Sequence, residues 1–279
     1  MRVTDCFSDL MNLGEPRIDG DSFTLCTTVL RSLRKRGLMG TVRTASFAAR
    51  CVIAVGGKKG LEIGGPSDLF RKRVPVYSAA RSLDNCVFST ETIWEGQRDD
   101  GTPFNFLPDK AGRNRVVDAV DLEGIEDSQY QFVLSCHSLE HIANPIKALK
   151  NWRRVAPGYL VLVLPYGRDT FDHLRPVTPL SHMIADFESN VGEDDLTHLR
   201  EVLELIDWSR VEVPKHAALG SSEYMALVKK RSSENALHRS MHHHVFDERN
   251  ATQLVQYCGY RILTSLTNAG NIFVLAKSM

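Results

Sequence analysis

The apolar positions along the chain change rhythm several times. Residues 23–38 (FTLCTTVLRSLRKRGL) carry apolar side chains at helical spacing, then basic ones, then Gly37 as a helix stop. This predicts an N-terminal helical extension over residues 1–50, leaving a main domain over 51–279. From about residue 52 the pattern turns to short apolar runs cut by glycines, VIAVGGKKGLEIGG. LEI (61–63) reads as the end of a buried parallel strand, with a glycine turn and a short helix, DLFRKR, behind it. VVDAVDL (116–122) and QFVLSCH (131–137) read as further strands. Helical spacing returns at Leu139, Ile142, Ile146, Leu149 and Trp152, which predicts a helix over 139–155, and YLVLVLP (159–165) is a strand apolar on both faces. Strands alternating with helices predict an α/β fold with a mostly parallel sheet.

Residues 166–240 break this alternation and read as a mainly helical insertion or lid. The last segment, FDERNATQLVQYCGYRILTSL followed by NIFVLAKS, predicts helix, strand, strand, completing the sheet with an antiparallel edge.

Composition narrows the class. Lys plus Arg and Asp plus Glu number 34 each, and this balance argues against a protein built to hold nucleic-acid phosphates or anionic lipid. The six cysteines form no C-x-x-C pair, which suits neither a zinc knuckle nor a redox motif and fits a reducing, cytoplasmic setting. No apolar run approaches the ~20 residues of a membrane span. There is no G-x-G-x-x-G, P-loop or G-x-S-x-G, so a nucleotide-dependent oxidoreductase or hydrolase has no motif to stand on.

The central motif is GLEIGGPS, with Glu62, Gly64, Gly65, Pro66 and Ser67. A strand that ends in glycines and leads into a helix lets backbone approach a ligand closely. An acid inside that first turn can meet an ammonium group. LEIGGPS, LDNCVF, VVDAVDL and FVLSCHSLEHIANPIKALKNWRRVAPGYLVLVLP follow one another in the order of the class I S-adenosylmethionine methyltransferases, and the last segment resembles the type 11 methyltransferase group. The turn itself reads EIGGPSD where family members show E-x-G-x-G-x-G, and it looks like that of a subgroup with a compact turn. The resemblance implies a Rossmann-like sheet of seven strands with helices on both faces. It implies S-adenosylmethionine as cofactor and a small-molecule or saccharide acceptor.

Roles follow from the resemblance position by position. Glu62 and Gly64, with Gly65, Pro66 and Ser67, would face the methionine portion. Asp84 would accept the ribose hydroxyls, its other reading being a turn aspartate in Asp84-Asn85. Asp118, with Ala119 beside it, would lie near the adenine amino group, Asp121 being the competing choice. Ser135 and Cys136 end the fourth strand, where open α/β sheets bind ligands.

All ten histidines lie between His137 and His244. Transfer to an oxygen needs a base, and histidine has a suitable pKa. His137 sits nearest the expected methyl position. His173 could act with Asp172, and one residue of the His242–His244 tract could turn inward, with His244 chosen here and His242 on the same side of an extended segment. The i, i+4 pair His137 and His141 is not the H-E-x-x-H zinc pattern, and no metal is expected. His182 and Asp186, also i, i+4, read as a helix salt bridge. The expected function is methyl transfer to oxygen or nitrogen, the other reading being a non-catalytic binding module that keeps the fold.

Overall fold

The computed structural model describes residues 39–93, 96–211 and 221–279. The expected helix over 23–38 lies outside the described residues. The first described helix, α1 (Met39–Val55), runs across the expected 50/51 boundary. It places Phe47, Ala48, Cys51, Ala54 and Val55 in the core, and Phe47 packs edge-on against Phe273 with ring centroids 5.5 Å apart. It is therefore one of the layers of the domain, and the apolar VIAV run is its last turn rather than a strand.

The chain then winds through β1 (Lys59–Ile63), α2 (Asp68–Lys72), α3 (Val76–Ala79), β2 (Ser82–Val87) and a two-residue hairpin, β3 (Glu91–Thr92) and β4 (Gly96–Gln97). A longer hairpin follows, β5 (Pro103–Leu107) and β6 (Lys110–Val116), and then β7 (Phe132–Cys136). After these come α4 (Pro145–Val155) and β8 (Tyr159–Pro165). The insertion holds α5 (Leu180–Glu188), α6 (Leu199–Leu205), α7 (Ser221–Ser233) and α8 (Asn235–His238), and the chain closes with α9 (Glu248–Tyr257), β9 (Tyr260–Asn268) and β10 (Asn271–Ser278).

The main sheet has eight strands in the order β5-β6-β2-β1-β7-β8-β10-β9. β6, β2, β1, β7 and β8 are parallel to their neighbours within that run. The extra strand over the expected seven is β5, which folds back antiparallel on β6. At the other end the last two strands complete the sheet with an antiparallel edge, β10 pairing antiparallel with β8 and the edge strand β9 pairing antiparallel with β10. A cluster built on α4 and α9 covers one face of the sheet, and one built on α1 and α3 covers the other. This is the α/β, Rossmann-like architecture expected.

Two elements depart from the sequence pattern. VVDAVDL is not a strand, because β6 ends at Val116 and Asp118 turns the chain by accepting a hydrogen bond from the Val120 N–H (2.8 Å). The helix expected over 139–155 starts instead at Asn144-Pro145. The Asn144 side chain caps Lys147 N–H (3.0 Å) and Pro145 occupies the first turn, while Leu139–His141 forms a separate 3-10 turn. That break leaves the Ser138–Ala143 segment to line the end of the sheet.

Candidate active site

The chain leaves β1 for β2 and β6 on one side, then crosses back to β7 and β8 on the other. The strand order reverses between β1 and β7, and in such sheets ligands bind there, beyond the carboxyl ends of the strands. A cavity of about 1120 Å³ opens at that place. Its floor is Ile63, Gly64 and Pro66 after β1, Cys86 to Phe88 at the end of β2, Asp118 and Ala119 after β6, and His137, Ser138, Glu140 and His141 after β7. The insertion supplies the roof, including Trp208, Tyr224, Arg231 and Arg239, with His242 beside them.

The glycine turn is locked from below. Gly64 has φ of +69°, and a Cβ there would meet Ser138 Oγ at 2.7 Å. A Cβ on Gly65 would lie 2.3 Å from the Glu62 carboxyl carbon. Glu62 is wholly buried beneath the turn, off the cavity wall, where the Tyr77 hydroxyl reaches both its carboxylate oxygens (2.7 and 2.8 Å). Tyr77 also accepts the Ser67 N–H (2.6 Å), and burial followed by the Glu62 charge pushes its phenol pKa up. Gly64 N–H donates to the Cys86 carbonyl (3.0 Å), Gly65 N–H to the Asn85 side chain (2.8 Å), and Leu69 N–H to Ser67 Oγ (3.2 Å). These four turn amides are thus bonded within the protein instead of pointing at a ligand phosphate.

The remaining cofactor candidates divide by position. Gly64, Pro66, Asp118 and Ala119 line the cavity. Asp118 is half-exposed and salt-bridged to Arg239 (2.7 Å). Gly65 and Ser67 brace the turn. Ser135 is fully buried in β7 and its hydroxyl finds no hydrogen-bond partner among the described residues. Cys136 packs into the core, and burial pushes its thiol up to about 12.

Asp84 lies away from the cavity. It pairs with Leu61 in mid-strand, three positions before the end of β2, and accepts the Arg113 N–H (3.0 Å) and the Tyr130 hydroxyl (2.9 Å), with the Lys59 ammonium at 3.4 Å. The resemblance implies a ribose acceptor here, but the β1–β2 register places this acid too far toward the opposite edge.

The histidines also sort differently from expectation. His137 lines the cavity in a left-handed conformation (φ 53°), held by its N–H to the Val163 carbonyl (3.0 Å). Its Nε2 meets Asn271 Oδ1 at 2.7 Å, and since Asn271 Nδ2 donates to the Ala269 carbonyl, Nε2 is the protonated nitrogen and Nδ1 the basic one. His173 is off the cavity wall and bonds Asp207 at 2.9 Å, not Asp172. His244 is fully buried elsewhere, with Nε2 3.2 Å from the Ala143 carbonyl, and burial holds its pKa well below the usual range.

The inward histidine of the tract is His242. Its Nδ1 lies 2.6 Å from Asp172 Oδ2, and Arg175 clamps the other oxygen of Asp172 at 2.8 Å. Burial would raise the Asp172 pKa, but His242 and Arg175 bring it down to about 2. Burial would lower that of His242, but Asp172 and Glu140 lift it above the ordinary histidine value. Glu140, buried on the cavity wall, has its pKa raised by burial, and its Oε2 has no hydrogen-bond partner among the described residues. The sequence pattern missed this pair, because Asp172 and His242 lie 70 residues apart and only the folded insertion joins them.

No protein-family model and no curated protein matches the sequence significantly. Solved structures similar to the chain include the trans-methyltransferase CalH in complex with SAH, at 14% identity and TM-score 0.43 over 90% of this chain. The chain spans 62% of the length of CalH. An S-adenosylmethionine dependent methyltransferase from Mesorhizobium loti is 11% identical with TM-score 0.44, covering 86% of this chain and 98% of that one. A SAM dependent methyltransferase from Aquifex aeolicus is 11% identical with TM-score 0.39, over 91% and 96%. The fold class stands on the strand order and the two helical layers. No described helix is long and apolar enough to cross a membrane.

Proposed function

We propose that this chain is a methyltransferase that takes its methyl group from S-adenosylmethionine and delivers it to a small polar acceptor. The observation that carries this reading is the glycine turn at the reversal of the sheet, with its Gly64, Gly65, Ser67 and Leu69 amides bonded internally. Such a turn suits a cofactor without phosphates. The volume, about 1120 Å³, exceeds the upper end of ordinary ligand pockets, about 1,000 Å³, and leaves room for a donor and an acceptor together.

S-adenosylmethionine supplies an electrophilic methyl group on a sulfonium sulfur. Gly64, Pro66, Asp118 and Ala119 would hold it, and the unpartnered Glu140 oxygen offers a buried acceptor for a polar group on the ligand. His242 takes the acceptor's proton at Nε2, because Nδ1 is engaged by Asp172. Arg175 keeps Asp172 ionised and oriented. His137, with its basic Nδ1, is a second proton acceptor on the same wall. Trp208, Tyr224 and Arg231 give the roof a flat aromatic surface with donors, which suits a sugar-like acceptor bearing a hydroxyl or amine.

The test is to incubate the protein with S-adenosylmethionine labelled in the methyl group and fractionated cell extract. Label should move into a small polar product, and His242→Asn should slow the transfer by about 10²- to 10⁴-fold. Cofactor binding with no transfer to any fraction would leave the non-catalytic module as the better reading.

A further inference from the structure

Away from the cavity, α5, the turn before α6 and the histidine tract bring a second group of imidazoles together. His182 Nε2 and His198 Nε2 stand 2.9 Å apart, and ring nitrogens of His182, His198 and His244 all lie within 4.8 Å of one another. Asp186, one turn along α5 from His182, places Oδ2 3.5 Å from His182 Nε2 and 3.9 Å from His244 Nε2.

Hydrogen bonds alone leave this cluster unsatisfied. His198 Nδ1 faces Glu201 Oε2 at 3.3 Å, so in the neutral ring Nε2 is a lone pair. A proton on His182 Nε2 can answer that lone pair and no other. His244, only 1% exposed, directs one nitrogen at the Ala143 carbonyl, and its other nitrogen, Nδ1, has no partner among the described residues. Asp186 Oδ2 is likewise buried with no hydrogen-bond partner there. Orphaned buried polar atoms of this kind cost about 1–3 kcal/mol each, and they lie in or beside the three rings whose nitrogens stand within 4.8 Å of one another. A single cation would satisfy the group.

We propose that His182, Asp186, His198 and His244 bind a zinc ion. Three imidazoles and a carboxylate are the ligand set of a borderline divalent metal, not of calcium or magnesium. Four protein ligands leave no open position, so the site is structural. Glu201 on His198 and the Ala143 carbonyl on His244 are the outer partners that fix ligating rings. The ion would pin α5, the turn before α6 and the histidine tract together. Arg175 bonds both Glu201 (2.9 Å) and Asp172 (2.8 Å), so the outer partner of the zinc site is joined to the carboxylate that orients His242. This metal departs from the sequence reading, in which His182 and Asp186 formed only a helix salt bridge.

The test uses the full chain stripped with chelator, reloaded with zinc or cobalt(II), and read by elemental analysis, cobalt absorption and thermal unfolding. The expected result is about one metal per chain, the intense visible bands of four-coordinate cobalt, and a raised unfolding midpoint. His182→Asn and Asp186→Asn, at positions with partial exposure, should lose the ion and unfold at the midpoint of the stripped protein. Glu201→Ala should weaken zinc by about 10- to 100-fold. The proposal is overturned if the wild-type chain takes up neither metal. It is equally overturned if cobalt shows only the weak bands of a six-coordinate ion, or if the ion survives in both variants and is lost instead in Glu140→Gln or His242→Asn.

Discussion

His242 and Asp172 face each other across 2.6 Å, the ring nitrogen Nδ1 against carboxylate oxygen Oδ2. Removing the base by His242→Asn should cut kcat by about 10²- to 10⁴-fold, the usual share of general-base catalysis. Affinity for S-adenosylhomocysteine should stay close to that of the wild type. Steady-state kinetics and a binding titration on the same preparation separate the two effects, and a normal kcat would return the role to His137.

The same contact sets the pH dependence. His242 must be neutral to accept a proton, and Asp172 with Glu140 lifts its pKa above the ordinary value of about 6.5 despite its burial. Activity should therefore fall as pH drops, with a midpoint above that value. In Asp172→Asn the lost charge should move the midpoint downward and lower the maximal rate. A midpoint that stays in place would detach Asp172 from the base.

Beneath the glycine turn, Tyr77→Phe would remove the hydroxyl that bonds both oxygens of Glu62 and accepts the Ser67 N–H. A buried group stripped of its partner costs about 1–3 kcal/mol. Denaturant unfolding should show a loss of that size, with weaker cofactor binding because the turn loses its brace. Unchanged stability would mean that Glu62 is satisfied without Tyr77.

Gly64→Ala carries two penalties, a left-handed backbone and a clash with Ser138 Oγ. Adding Ser138→Ala should relieve the clash and recover part of the lost stability, leaving the backbone cost of roughly 1–2 kcal/mol. Gly65→Ala has no such rescue, since the obstacle is the Glu62 carboxylate itself. A double-mutant cycle that proves additive would place Ser138 elsewhere.

Asp84→Asn should leave cofactor affinity within about twofold while lowering stability by about 1–3 kcal/mol, because this acid joins β2 to Arg113, Tyr130 and Lys59. A large loss of affinity with normal stability would restore the ribose role.

The backbone of the fold was legible where one signal dominated. YLVLVLP is β8 residue for residue, and the run of apolar residues in QFVLSCH marks β7. The 103–116 hairpin is hidden in the sequence because β6, KAGRNRV, carries few apolar residues, although PFNFL of β5 alternates exposed and buried positions. The candidate site was half legible. The turn and Asp118 lie on the cavity at the end of the sheet, where motif order puts them. The place of Asp84 in mid-strand depends on the β1–β2 register, which its position in the sequence does not reveal. Which histidine of the tract faces the cavity is not legible in the sequence, because the tract does not alternate as an extended strand: His242 faces the cavity, whereas His243 bonds Asn235 (2.9 Å) and His244 turns to Ala143. Only tertiary contacts decide that choice.

The cavity over Gly64 is proposed to bind S-adenosylmethionine and not a dinucleotide. Calorimetric titration of the folded chain with S-adenosylhomocysteine, and separately with NADH, tests it most directly. Saturable one-site binding of S-adenosylhomocysteine, weakened in Gly65→Ala, and no heat with NADH are expected. Tight NADH binding, or no response to S-adenosylhomocysteine from a chain shown to be folded, would contradict it.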